Sequence, residues 1–192
     1  MRPIQPSEIK ANADYERVRD QVRQRILPIK AARRVQVGQE MTLLFENHDT
    51  MLYQVQEMVR VEQITDLEAI KHEIETYNEL VPGEGELSAT LLLEYPDAEV
   101  RARRLRELVG IEKHVSMEIG GAGVFPAIFD MRQMDDRKVS SVHYVKFRIG
   151  DAGAGAVRDG AAMEIIVDHP SMQVRARLTD AQRAALREDL LG

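Results

Sequence analysis

Apolar residues recur at helical spacing through the first part of the chain and at strand spacing after residue 87. In residues 7–27, Ile9, Tyr15, Val18, Val22, Ile26 and Leu27 form a narrow, broken stripe. The pattern predicts a helix capped by Ser7 and stopped by Pro28, packed on the body of the protein. Val35 and Val37 then alternate with polar residues, Gly38–Glu40 reads as a turn and Thr42–Phe45 extends, which predicts a short hairpin. A helix running through residues 35–46 is the open alternative. Asn47 or Asp49 caps the next helix, which runs to about Gln63. In it Met51, Leu52, Val55, Met58 and Val59 are the apolar stripe, and Tyr53, Gln56, Glu57 and Arg60 line the other side. A further helix starts near Thr65, with Glu68 placed for a capping box. Leu67, Ile70, Ile74, Tyr77 and Val81 are its stripe, and Val81–Gly85 is a loop.

Beyond residue 87 the runs are strand-like. Leu87–Tyr95 is a continuous apolar run that suits a central strand. Residues 98–109 predict an arginine-rich helix stopped by Gly110. Val115–Ile119 and Val124–Phe129 extend, Pro126 placing the second at an edge. In residues 139–149, His143, Val145, Phe147 and Ile149 share one face and Val142, Tyr144, Lys146 and Arg148 the other. Asp151–Gly160 reads as a single helical turn. Two more strands, 162–167 and 173–178, are joined by Asp168–Ser171. A last helix begins at a Thr179/Gln182 capping box and docks through Ala181, Ala185, Leu186 and Leu190. Helices followed by strands without helical crossovers predict one α+β domain over residues 1–192. Its N-terminal helices pack on an antiparallel or mixed sheet, and a helix closes the chain.

Charge divides this domain further. Residues 1–34 carry nine Lys/Arg against four Asp/Glu, residues 35–99 two against fifteen, and residues 100–192 fifteen against thirteen. They form a basic helical arm (1–34), an acidic helical part (35–86) and a sheet-rich part (87–192). The arm is expected to lie against the acidic part, with Arg17, Arg33 and Arg34 as partners for Glu57 or Glu62. The alternative, an exposed arm for nucleic acid, is opposed by the overall charge of −6. The 192 residues can bury a core without staples, and the absence of cysteine excludes disulfides, thiol nucleophiles and thiolate metal sites. The N-terminus shows no signal-peptide pattern, and no run of about 18 apolar residues occurs. These features predict a cytoplasmic protein with no membrane and no nucleic-acid partner.

Candidate chemistry is sparse. No phosphate-loop, nucleophile-elbow or H-E-x-x-H pattern occurs, and Gly120–Gly123 reads as a turn. Glu68, His72 and Glu75 share a helical face, but E-x-x-H is absent and His72 lies off the apolar stripe, so no metal and no cofactor are predicted. His143, on an apolar strand face, reads either as a core histidine or as a site residue. His169, between Asp168 and Pro170, reads as turn chemistry or as an oriented imidazole.

Thr42–Glu46, Tyr53–Glu62, Tyr77–Asn78, Ala89–Asp97, Gly110–Glu112, Ser141–Tyr144 and Asp168–Pro170 resemble, in order, a bacterial family known as domain of unknown function 3501. The family pattern has an arginine before Tyr53, where this chain has Leu52. The resemblance implies no activity. It does imply neighbours among rubrerythrin-like and iron–sulfur proteins, hence an accessory role in redox or peroxide-stress chemistry. The expected function is a non-catalytic interaction protein with a protein partner; self-association stays open. The alternative is an enzyme or small-ligand domain. Tyr53, Glu57, Arg60, Glu62, Tyr77, His143 and His169 are the candidate binding residues, and no catalytic residue is assigned.

Overall fold

A computed structural model describes residues 1–133 and 137–191. Helix α1 (Asn12–Ala31) leads into the hairpin β1 (Arg34–Val37) and β2 (Met41–Glu46), followed by α2 (His48–Val61) and α3 (Leu67–Asn78). Strand β3 (Glu86–Leu93), helix α4 (Ala98–Glu107) and strands β4 (Val115–Ile119), β5 (Gly123–Pro126) and β6 (Ile128–Phe129) come next. The chain continues through β7 (Val142–Arg148), α5 (Gly150–Arg158), β8 (Met163–His169), β9 (Met172–Arg177) and α6 (Asp180–Leu191).

Every strand pairing is antiparallel, in two sheets ordered β1-β2-β3-β7-β6 and β5-β4-β8-β9. β5 and β6 are one extended run that changes sheet at Ala127, whose N–H bonds the Val115 carbonyl at 2.9 Å. The inner faces of both sheets enclose one apolar core. Leu87, Ala89, Leu91 and Leu93 of the central strand meet Met41, Leu43 and Phe45 on one side and Val145 and Phe147 on the other. The two-residue period of these strands puts their polar alternates, Ser88 and Thr90, on the outer face.

A second core of Ile4, Met51, Val55, Val59, Ile74, Leu80 and Val81 binds the helices, with Tyr77 and Tyr144 packed against it. The first residues of the chain cross it as an extended strap. Two side-chain amides hold the strap as a neighbouring strand would. Asn78 accepts from Ile4 N–H (2.8 Å) and donates to its carbonyl (3.1 Å), and Gln56 does the same for Lys10 (2.8 and 3.0 Å). Arg33 and Asp189, both buried, form a two-bonded ion pair (2.7 and 2.9 Å), and Asn47 also donates to Asp189 at 3.0 Å. That cluster ties the end of α1 and the start of α2 to α6, 156 residues away.

The predicted hairpin, the Asn47 cap, the central strand and the Thr179/Gln182 capping box all form. Several expectations need correction. α1 starts at Asn12, not near Ser7, which sits in a separate single turn (Pro6–Glu8). It also runs through Pro28, which is exposed, so the carbonyl its ring leaves unpaired faces water. α3 is capped by Asp66, whose side chain accepts from Ala69 N–H at 3.0 Å, not by Thr65. Leu67 and Ala181, expected to dock, are exposed. The expected single turn after residue 150 is a nine-residue helix, because Ala154 and Val157 find the core and packing outweighs its glycine content.

Gly85 is fixed by geometry. Its φ is +65°, and an added Cβ would lie 3.0 Å from the Gly150 Cα. Its carbonyl accepts from both Ile149 and Gly150 (2.9 and 3.0 Å), joining the entry of β3 to the exit of β7. Gly85→Ala is expected to lower unfolding free energy by about 1–3 kcal/mol, measured by urea denaturation. A change within about 0.5 kcal/mol would show that this crossing is not tight.

Candidate functional site

α1 and α2 are joined by one carboxylate. Arg19 and Tyr15, four residues apart, lie on the α1 face that meets α2. The Arg19 guanidinium donates to both oxygens of Glu57 (2.8 and 2.9 Å), the Tyr15 hydroxyl donates at 2.7 Å and Arg60 at 3.1 Å. Arg60 also reaches Glu16 at 3.4 Å. The Arg19 bonds, against the cost of burial and with Tyr15 and Arg60 adding to them, hold the Glu57 carboxyl down at about 2. The Tyr15 phenol is pushed upward, by burial first and then by the Glu57 carboxylate. Beside the cluster, Lys30 Nζ lies 5.6 Å from the centre of the Tyr53 ring, a cation–π distance.

The arm does lie on the acidic part, though not through the expected arginines. Arg17 pairs with Asp14, Arg33 with Asp189 and Arg34 with Glu94. The polar side of α2 is covered by α1 and the strap, and Gln56 is buried. Leu52 packs against the helical core. Glu62 caps the end of α2 and stays exposed. Tyr77 packs on the helical core, and burial raises its phenol. His72 is exposed.

The two histidines lie elsewhere. His143 is fully buried in the sheet core, with the Phe129 ring edge-on at 5.4 Å. Among the described residues neither ring nitrogen has a partner in ordinary hydrogen-bond geometry, and burial lowers the proton affinity of the imidazole, opposed by the nearby Ser140 backbone. Glu112, whose field acts on His143 in the opposite sense, also has an unpartnered buried oxygen. His169 accepts from Ser171 N–H at Nδ1 (3.1 Å) and donates from Nε2 to the Val109 carbonyl (3.1 Å). It spends both nitrogens anchoring the β8–β9 turn to the end of α4. Its neighbour Asp168 bonds His114 at 3.0 Å, and the rings of His114 and His169 meet edge-on at 5.1 Å. Glu57, His143 and His169 therefore occupy three separate places and share no contact. Among the described residues no three His, Asp or Glu side chains form a group that could hold a metal ion. No helix there is long and apolar enough to cross a membrane.

Tyr15, Arg19, Glu46, Glu112 and Asp189 carry polar chemistry that sequence reasoning missed. The four-residue spacing of Tyr15 and Arg19 was a usable signal; the other three are brought to their partners only by the fold. Glu46 is buried beneath the helices and accepts hydroxyl bonds from Thr50 (2.6 Å) and Thr90 (2.7 Å). Burial raises its proton affinity, opposed by those two bonds and by Lys30 and Arg33.

Acidic residues that make no ion pair lie at the α2–α3 turn and on α3, where Lys71 is paired with Glu68. Among the described residues Glu62, Asp66, Glu73 and Glu75 make no ion pair, while Val61 and Leu67 between and beside them are 61% and 55% exposed.

The model of the family described as "Protein of unknown function (DUF3501)" matches residues 3–190. A crystal structure described as a novel protein of unknown function from Burkholderia pseudomallei K96243 shares 34% sequence identity with this chain. It covers 98% of this chain and 100% of its own, with a TM-score of 0.92. Among curated proteins, none matches the sequence.

Glu57 sits below its ordinary value of 4.5, so its contribution to stability is complete above that pH and is lost as pH falls toward about 2. Glu57→Gln is expected to cost about 1–3 kcal/mol at neutral pH and to flatten the acid limb of stability, followed by urea denaturation at stepped pH. A variant that kept the wild-type acid limb would contradict the assignment.

Proposed function

This chain belongs to the DUF3501 family of proteins of unknown function, and from that premise we propose that it is a cytoplasmic, non-catalytic interaction protein. Its docking face is the edge formed by the α2–α3 turn and the outer side of α3. The observation that carries the reading is the exposure of Val61 and Leu67 on either side of the α2–α3 turn, in a stretch where, among the described residues, Glu62, Asp66, Glu73 and Glu75 make no ion pair and the one lysine of α3, Lys71, is paired with Glu68. An apolar centre with a charged rim is the usual composition of a transient interface. A rim of one sign steers a partner of the other sign and sets its orientation.

The partner this face fits is a protein with a basic surface. Arg19 and Arg60 are engaged by Glu57 and Lys71 by Glu68, which leaves this stretch with a net negative charge. Rubrerythrin-like and iron–sulfur proteins, which the family resemblance implies as neighbours, are the first baits to try.

The test compares proteins retained from native lysate by wild type, by Glu62→Lys/Glu73→Lys/Glu75→Lys, and by a control triple reversal elsewhere, Glu99→Lys/Asp151→Lys/Asp159→Lys. The first triple is expected to weaken retention of a basic partner at least about tenfold while the control keeps it, and added salt should weaken the wild type. The same retained set for all three proteins would overturn the proposal.

A further inference from the structure

A groove of about 310 Å³ opens on the outer face of the five-stranded sheet, between the end of α3 and β6. Its apolar side chains are Leu80 and Ile128, and Ser88, Tyr144 and Lys146 are its polar floor. Ser88 is 1% exposed, and its hydroxyl has no hydrogen-bond partner. An orphaned buried hydroxyl is a cost that a bound polar atom removes. The Tyr144 hydroxyl likewise has no partner among the described residues. Strand register sets the two side by side: Ser88 faces Lys146 and Thr90 faces Tyr144, so Ser88 and Tyr144 are diagonal neighbours. Diagonal neighbours on one face of a sheet are within reach of one another when one side chain is aromatic, so a single polar group can meet both hydroxyls.

Charge decides what that group is. The charged groups of the wall are already matched: Lys146 pairs with Glu86 at 3.2 Å, and Arg132 pairs with Asp130 at 2.9 Å and with Glu79. A charged ligand would have to break one of these pairs. Glu46, which faces Ser88 across β2 and β3, further disfavours an anion when ionised. The capacity left over is two hydroxyls, each able to donate and accept, beside an apolar surface.

We propose that this groove binds a small uncharged molecule with an apolar body and one hydrogen-bonding end, of the aromatic alcohol or amide class. The body lies on Leu80 and Ile128, and the polar end bonds Ser88 and Tyr144. The site is distinct from the acidic edge of α3 and does not depend on it.

The experiment titrates the full ¹⁵N-labelled chain with benzyl alcohol and benzamide, and separately with benzoate and benzylamine. Saturable amide shifts confined to the groove are expected for the neutral probes, with at least tenfold weaker effects for the charged ones. Ser88→Ala and Tyr144→Phe are each expected to weaken neutral-probe binding about three- to tenfold. Ser88→Ala should do so without lowering Tm, since it removes an unsatisfied hydroxyl; a merely structural serine would not separate the two readouts. Scattered shifts, equal response to charged and neutral probes, or unchanged affinity in both variants would overturn the proposal.

Discussion

Glu57 is the carboxylate on which the arrangement of the first third of the chain depends. A carboxylate that loses part of its hydration must be met by donors that favour its charge, or it will take up a proton instead. Here a two-bonded guanidinium, a phenol and a second arginine meet it, from two helices whose facing surfaces would otherwise be too polar to pack. With α1 seated, the strap crosses the helical core, and Gln56 and Asn78 pair with its backbone. The basic start and the acidic middle of the sequence meet here through Arg19 and Glu57, and through Arg60 and Glu16. The carboxylates at the α2–α3 turn and on α3 that make no ion pair among the described residues are the ground for the proposed docking face.

Local signals were readable wherever the responsible residues lie within a few positions of one another. The alternation at Val35 and Val37 with Gly38 made the hairpin legible, Asn47 and the Thr179/Gln182 pair marked helix starts, and the period of residues 143–149 picked out the inward face of β7. Long-range compensation was not readable. Pro28 is tolerated because its side of α1 faces solvent, and Gln56 is buried because the strap reaches it. Neither fact has a trace in the residues around it. Arg33 could be listed as a cation from sequence, but its choice of Asp189 over Glu57 follows from where α6 ends.

The two histidines make the same point about chemistry. Both sit in patterns that suggest an oriented imidazole. His169 proves to be saturated by backbone partners on both nitrogens, a structural fastener of the β8–β9 turn. His143 is the reverse, buried and unpartnered against Phe129. Ser88 shares that unpartnered condition but lines an open groove, and the difference between a sealed core and an accessible wall separates a local energetic cost from a binding opportunity. No alternation pattern distinguishes the two, since both residues occupy ordinary strand positions.

The claim that one carboxylate fastens the basic arm is tested most directly by a double-mutant cycle on Arg19→Ala and Glu57→Ala, with unfolding free energies from urea denaturation at neutral pH. The account predicts a coupling energy of at least about 1 kcal/mol, above the usual value for a surface pair. Additive effects, with coupling near zero, would contradict it and leave the seating of α1 to apolar contacts alone.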